Sequence, residues 1–212
     1  MSVYGRFLYP HVVNLTMRVV GTPELVSIIK SQAERAQGTV LEVGVGGGGT
    51  LALYDRSKIK EIYGLDPNPG MMEQARRTAH SLGLPLKLLC APAERIPLDA
   101  NAVDTVVSTF TLCTVADVPT TLENIRRVLR KTGELVFVEH GAHPDARIAR
   151  RQRFEEPLHK WLYQGCHLTR DLPRAFKEAG FELREMRSGR LPVRWAPKTW
   201  EWGWWGVAVP QN

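Results

Sequence analysis

The segment Glu42-Val43-Gly44-Val45-Gly46-Gly47-Gly48-Gly49 places a carboxylate two positions before a run of glycines, directly after the apolar residues Val40 and Leu41. Glycines after a strand let the backbone turn sharply and approach a ligand closely. Gly44, Gly46 and Gly49 satisfy Gly-x-Gly-x-x-Gly, the dinucleotide-binding spacing. Glu42, Gly44, Gly46 and Gly48 equally satisfy Glu-x-Gly-x-Gly-x-Gly. The carboxylate matters to the choice, because it repels a pyrophosphate and attracts an amino group. A strand-end charge bonded to local backbone is the other reading of Glu42, although an ionised group ending an apolar strand is costly without a partner.

Asp66 closes the next apolar run, 22 residues after Gly44, where a carboxylate can accept hydrogen bonds from two ribose hydroxyls. It could instead cap the helix starting near Pro69, but Asn68 is the better cap. Asp66 alone suits NAD as well as S-adenosylmethionine (SAM). Ala91-Pro92-Ala93-Glu94 and Ser108-Thr109-Phe110-Thr111-Leu112-Cys113 follow later strands and are placed to border an adenine ring from two sides. With Glu42, these blocks favour SAM over a dinucleotide. The candidate cofactor set is therefore Glu42, Gly44, Val45, Gly46, Gly48, Asp66, Pro67, Asn68, Met71, Ala93, Glu94, Thr109 and Cys113. Methyl transfer from a sulfonium is an in-line displacement that depends chiefly on positioning. For a thiol acceptor a base would raise the thiolate fraction. His140, with Glu139 to orient it, is the first catalytic candidate, and a strand-end histidine bonded to backbone is the alternative. Cys166-His167 reads as a structural turn rather than a nucleophile and base, with His167 the better acceptor-side contact.

Elements that could position these residues follow from periodicity. An interrupted amphipathic run covers Tyr4 to Leu15, and a helix capped by Thr22 with Pro23 in its first turn ends at Gly38. Strands are expected at Thr39 to Val43, Glu61 to Leu65, Leu86 to Cys90, Ala102 to Ser108 and Glu134 to Glu139. Between them fall a short helix around Leu51 to Tyr54, one opened by Asn68 and Pro69, and one from Asp117 to Leu129. Helices near Pro144 to Tyr163 and Asp171 to Ala179, the latter capped by Thr169, precede two strand-like runs, Phe181 to Arg187 and Trp204 to Val209. Alternating strands and helices predict an α/β, Rossmann-like doubly wound parallel sheet. The proline-containing stretch before the last run suggests a final antiparallel pair.

At 212 residues, 43% of them hydrophobic and 24% charged, the chain suits one domain, residues 1 to 212, with an N-terminal helical lid (1 to 37) over a core (38 to 212). Three cysteines without Cys-x-x-Cys spacing supply no zinc motif, so no metal and no disulfide is expected. No apolar stretch reaches about 18 residues and no signal pattern is evident, so a cytoplasmic protein without stable membrane insertion, with at most weak peripheral membrane contact, is expected. The net charge of +6 owes much to Arg147, Arg150, Arg151 and Arg153, which suit a solvated helix face better than a nucleic-acid site. Oligomeric state is not legible.

The blocks Val40 to Gly49, Gly64 to Pro69, Asp104 to Val115, Arg127 to Arg130 and Glu139-His140 resemble the type 11 SAM-dependent methyltransferases, including quinone C-methyltransferases. Glu139-His140-Gly141, Trp161-Leu162, Gly165-Cys166-His167-Leu168-Thr169-Arg170 and Leu112-Cys113-Thr114-Val115 are similar to the animal microsomal and lipid-droplet thiol S-methyltransferases. The resemblance implies a seven-stranded sheet with an antiparallel last strand, SAM as donor with S-adenosylhomocysteine as product, and a small lipophilic thiol as acceptor. Tyr4, Tyr9 and Trp161 join the candidate acceptor pocket only as this resemblance implies, since methyltransferases often cover the site with N-terminal and late-chain segments. Phenol, quinone and phospholipid acceptors are the alternatives, with an NAD-dependent oxidoreductase or a non-catalytic SAM-binding protein further off. The chain departs from the animal enzymes in showing only the interrupted run before Leu15 where they carry a membrane-anchoring segment, and Pro92 stands where many relatives have an acidic residue.

Overall fold

The computed structural model describes residues 21 to 163 and 165 to 211. The expected run from Tyr4 to Leu15, and with it the first part of the lid, lies outside these residues. Helix α1 (Pro23–Ala33) begins as its sequence implies: the Thr22 hydroxyl accepts from the Leu25 N–H and Pro23 occupies the first turn. Strand β1 (Gly38–Val43) and strand β2 (Ile59–Leu65) pair in parallel. The helix expected near Leu51 is only one 3-10 turn, Leu51–Leu53. A second 3-10 turn, Arg56–Lys58, capped by the Asp55 side chain, follows it before β2.

Helix α2 (Pro69–Leu82) is capped by the Asn68 side chain, which accepts from Gly70 and Met71, and it stops at the left-handed Gly83. Strand β3 (Leu86–Leu89), strand β4 (Val103–Thr109) and helix α3 (Val118–Val128) follow. Strand β5 (Leu129–His140) starts directly where α3 stops, earlier than the expected Glu134. Helix α4 (Ala146–Leu162), helix α5 (Leu172–Glu178), strand β6 (Phe181–Arg190) and strand β7 (Trp202–Pro210) complete the chain.

The sheet order is β3-β2-β1-β4-β5-β7-β6, with β7 antiparallel to both β5 and β6. This is the doubly wound fold with an antiparallel last strand. Its chain order reverses between β1 and β4, so the loops after those strands diverge to opposite faces and open a crevice between them. Side chains pack on both faces. Leu41, Val106, Leu122, Ile125, Phe137 and Phe176 fill one layer, while Val40, Ile62, Ala75, Ala79 and Val107 fill the other. Leu25 and Ile29 of α1 pack against Val138 and Leu191. Each such fully buried branched or aromatic side chain contributes roughly 1.5–3 kcal/mol.

Two details depart from expectation. Asp171, not Thr169, caps α5 by accepting from the Arg174 N–H, and Thr169 instead gives both its N–H and its hydroxyl to Glu156. Helix α4 also inverts the usual amphipathic order. Its inward residues are polar: Gln152 bridges His143, Gly141 and Thr199, Glu155 accepts from Thr199 and Trp200, and His159 bonds the Cys166 carbonyl. Its outward residues include Phe154, Leu158, Trp161 and Leu162 together with solvated arginines.

Candidate active site at the carboxyl ends of the strands

The loop after β1 turns at Gly44, whose N–H and that of Val45 both donate to the Leu65 carbonyl. Gly44 has φ +72°, and a Cβ there would fall 2.1 Å from the Thr111 hydroxyl. Only glycine lets the loops after β1 and β4 approach this closely. Val45 turns its side chain into the core, so it offers the loop its backbone alone. The Met71 methyl end lies against Gly46.

Glu42 is 2% exposed and accepts from the Tyr54 hydroxyl at 2.9 Å, with Thr50 as a second hydroxyl partner. Among the described residues no cation pairs with it, and burial pushes its carboxyl up to about 7. A buried acid satisfied only by hydroxyls is matched by an incoming ammonium. Asp66 joins the loops after β1 and β2: one oxygen accepts from the Gly46 N–H at 3.1 Å and the other from the Asn68 N–H at 2.8 Å. Burial raises its pKa against the effect of these two bonds. Each oxygen retains a lone pair for a hydroxyl. Ala93 is buried in the turn after β3, and Pro67 is exposed. Glu94 accepts from the Ala116 and Asp117 N–H groups, which ties that turn to the start of α3.

Glu139 does something other than orient His140. It is fully buried and accepts from the Ser108 hydroxyl at 2.7 Å and from the N–H groups of Thr111, Leu112 and Cys113 at 2.9–3.0 Å. Successive strand residues face opposite sides of a sheet, so Glu139 holds the loop after β4 while His140 points elsewhere. Burial raises the Glu139 pKa, and the four bonds oppose that rise. The Arg170 guanidinium clamps the same loop through the Leu112 and Val115 carbonyls. Phe110, within this loop, adopts φ 53°, a left-handed conformation unusual for a bulky residue.

His140 meets a pair of cysteines far apart in sequence. Its Nδ1 lies 3.3 Å from the Cys166 sulfur, which lies 3.2 Å from the Cys113 sulfur. The Cys113 thiol and then the His140 ring hold Cys166 well below the ordinary thiol range although burial opposes this, whereas burial pushes Cys113 up. Burial works against charge on His140, but the facing Cys166 sulfur outweighs it and its pKa is raised. His167 places its N–H on the Cys113 carbonyl at 2.7 Å and its Nδ1 3.0 Å from Glu156. Burial lowers the His167 pKa.

Residues 41–137 match the family model described as "Methyltransferase domain". The chain is 34% identical to the human thiol S-methyltransferase TMT1B over 167 residues, 74% of this chain and 66% of that protein. It is 32% identical to the mouse TMT1B over 181 residues, 79% of this chain and 71% of that protein. The chain belongs to the SAM-dependent methyltransferase family. It spans about two thirds of the length of the human relative. A SAM-dependent methyltransferase from Methanosarcina mazei shares the fold at a TM-score of 0.64 and 20% identity, covering 90% of this chain and 98% of that one. The domain is thus that of a methyltransferase with SAM as its methyl donor.

In this methyltransferase the strand ends bring together Glu42, the glycine loop, Asp66, Asn68, Met71, Thr109, Cys113 and His140. Trp161 lies on the outward side of α4, 77% exposed, and Tyr4 and Tyr9 fall outside the described residues. Tyr54, Arg170 and Glu156 were not among the sequence candidates, and Ser108 and Thr111 entered only as members of the block after the fourth strand. Tyr54, Glu156 and Arg170 lie in or beside helical segments away from the strand ends, so no spacing in the sequence marked them for the site. No helix among the described residues is long and apolar enough to cross a membrane.

Proposed function

We propose that this enzyme methylates the sulfur of a small lipophilic thiol. The similarity to the TMT1B thiol S-methyltransferases carries the reading. The gathering of Cys113, His140 and Cys166 at the ends of β4 and β5 supports it, because that cluster offers sulfur-compatible chemistry beside the cofactor crevice.

When bound, SAM supplies a methyl carbon on a cationic sulfonium. The chain's own residues do the rest. Glu42 ionises to hold the amino-acid ammonium, Asp66 takes the ribose hydroxyls with Pro67 and Asn68 shaping its loop, and Gly44, Val45, Gly46 and Gly48 offer backbone. Met71, Ala93 and Glu94 border the adenine, and Thr109 and Cys113 face the reacting end. Glu139 acts as a positioning residue by fixing the loop that carries Cys113. His140 favours the thiolate form of the acceptor, and His167, with Tyr4 and Tyr9, contributes to its surroundings, whereas the outward-facing Trp161 does not. A cytoplasmic location without nucleic-acid partners belongs to this reading.

The test is methyl transfer from labelled SAM to an alkyl thiol, an alkyl alcohol, an alkyl amine, a phenol and a quinol of matched apolar size. Turnover of the thiol is expected. Turnover of an oxygen, nitrogen or carbon acceptor with the thiol untouched overturns the assignment.

A further inference from the structure

We infer that Cys113, His140 and Cys166 form a three-ligand zinc site whose fourth position takes the acceptor thiol. One ligand atom from each residue lies within 4.8 Å of the other two. The two measured separations are 3.2 Å between the sulfurs and 3.3 Å from the Cys166 sulfur to His140 Nδ1. Tetrahedral zinc with Zn–S of about 2.3 Å and Zn–N of about 2.0 Å requires ligand separations of about 3.8 and 3.5 Å. Shifts of a few tenths of an ångström therefore open these two pairs to the metal, and the third pair closes from at most 4.8 Å.

The supports around the ligands match a preformed site. The Cys113 N–H is held by Glu139 and its carbonyl by the His167 N–H, and the Cys166 carbonyl is held by His159. Such outer contacts fix ligand orientation in metal centres. Cys113 is fully buried and Cys166 is 5% exposed. Two buried thiolates are prohibitive without a cation, and zinc bound by two thiolates and a neutral imidazole carries no net charge. Three protein ligands with an open fourth position are the arrangement of catalytic rather than structural zinc. The cysteines and histidine come from the loop after β4, the end of β5 and the segment after α4, so no short motif announces them.

The role of the fourth position rests on the thiol reading. The acceptor thiol releases its proton to solvent as its sulfur takes that position. The sulfur lone pair then forms the new S–CH3 bond while the methyl–sulfonium bond breaks, leaving neutral S-adenosylhomocysteine. The product thioether has lost its anionic charge and leaves the metal readily. His140 thus favours the thiolate by holding the metal.

The test is metal analysis of the purified full chain after dialysis against a weak chelator, with cobalt substitution. A zinc content of about one per chain is expected. Cys113→Ser, Cys166→Ser and His140→Ala should each lose it at least about tenfold, and the exposed Cys90→Ser should keep it. Should these variants fail to fold, the cobalt-loaded wild type answers alone: tetrahedral absorption with sulfur-to-cobalt charge transfer is expected, shifting when an alkyl thiol is added. Absence of zinc, zinc retained by all three variants, or a Cys113–Cys166 disulfide in freshly reduced protein overturns the site. A cobalt spectrum that an alkyl thiol leaves unmoved, or thiol methylation at full rate in zinc-stripped protein, overturns the acceptor role while the thiol reading stands. A zinc site in an enzyme that methylates only oxygen, nitrogen or carbon overturns the thiol reading and leaves the metal ligands in place.

Discussion

A single carboxylate shows how this site stores its affinity. Glu42 is an acid whose folded pKa, about 7, stands above its ordinary value of 4.5 because burial disfavours its charge. The folded protein therefore holds a proton there that the unfolded chain releases, and stability without cofactor falls as pH rises from about 4.5 to about 7. SAM needs the ionised form, so its binding should release a proton at pH 6. Its affinity should fall by up to about tenfold per pH unit below about 7. Calorimetry in buffers of different ionisation enthalpy reads that proton directly. Glu42→Gln should bind SAM about 10- to 100-fold more weakly, lose this pH dependence, and melt no lower than wild type at pH 8. A pH-independent wild-type affinity contradicts the ammonium role. Asp66→Ala removes the acceptor for Gly46 and Asn68 as well as the ribose contact, and should weaken SAM binding at least about tenfold. Unchanged affinity would contradict the ribose assignment. Glu42 and Asp66 could be singled out from the sequence because strand-end carboxylates at that spacing have few other uses, and both stand at the ends of β1 and β2. Glu139 was misread because a sequence shows that it neighbours His140 but not that a strand turns the two apart.

Among the elements, the loop from β4 to α3 depends most on distant residues. Its Thr111, Leu112 and Cys113 N–H groups end on Glu139, its carbonyls on Arg170, and its Thr111 hydroxyl on the Val43 carbonyl. Glu139→Ala orphans buried donors and should cost about 3–5 kcal/mol, with faster amide exchange at Thr111 to Cys113. Thermal melting and hydrogen exchange check this. A variant with wild-type exchange in that loop would show that other contacts suffice to hold it. Elements with clear punctuation were read well: Thr22 and Asn68 mark the starts of α1 and α2 as their chemistry dictates. Helix α4 was placed closely, but its facing was not legible. Its buried side is built from Gln152, Glu155, Glu156 and His159, whose partners come from residues 141 to 143, 166 to 169 and 199 to 200. A polar inward face has no hydrophobic periodicity to reveal it.

On the scale of the whole molecule, the sheet order and its antiparallel end follow from alternating patterns and a proline-rich final connection, both visible in the residues. The cofactor crevice was legible for the same reason, since the fold sends the loops after successive strands to one edge. The meeting of Cys113, His140 and Cys166 was not, because it depends on the return of the chain after α4 to the end of β5. The central claim is that this crevice delivers the methyl group of SAM to sulfur. Its most direct measurement is an equimolar competition in one vessel between a thiol, an alcohol, an amine and a quinol of matched apolar size, with labelled SAM and mass analysis of every product. The methyl label is expected in the thioether, with unlabelled S-adenosylhomocysteine formed in equal amount. Label recovered in an ether, a methylamine or a ring-methylated product, with the thiol intact, would contradict the account.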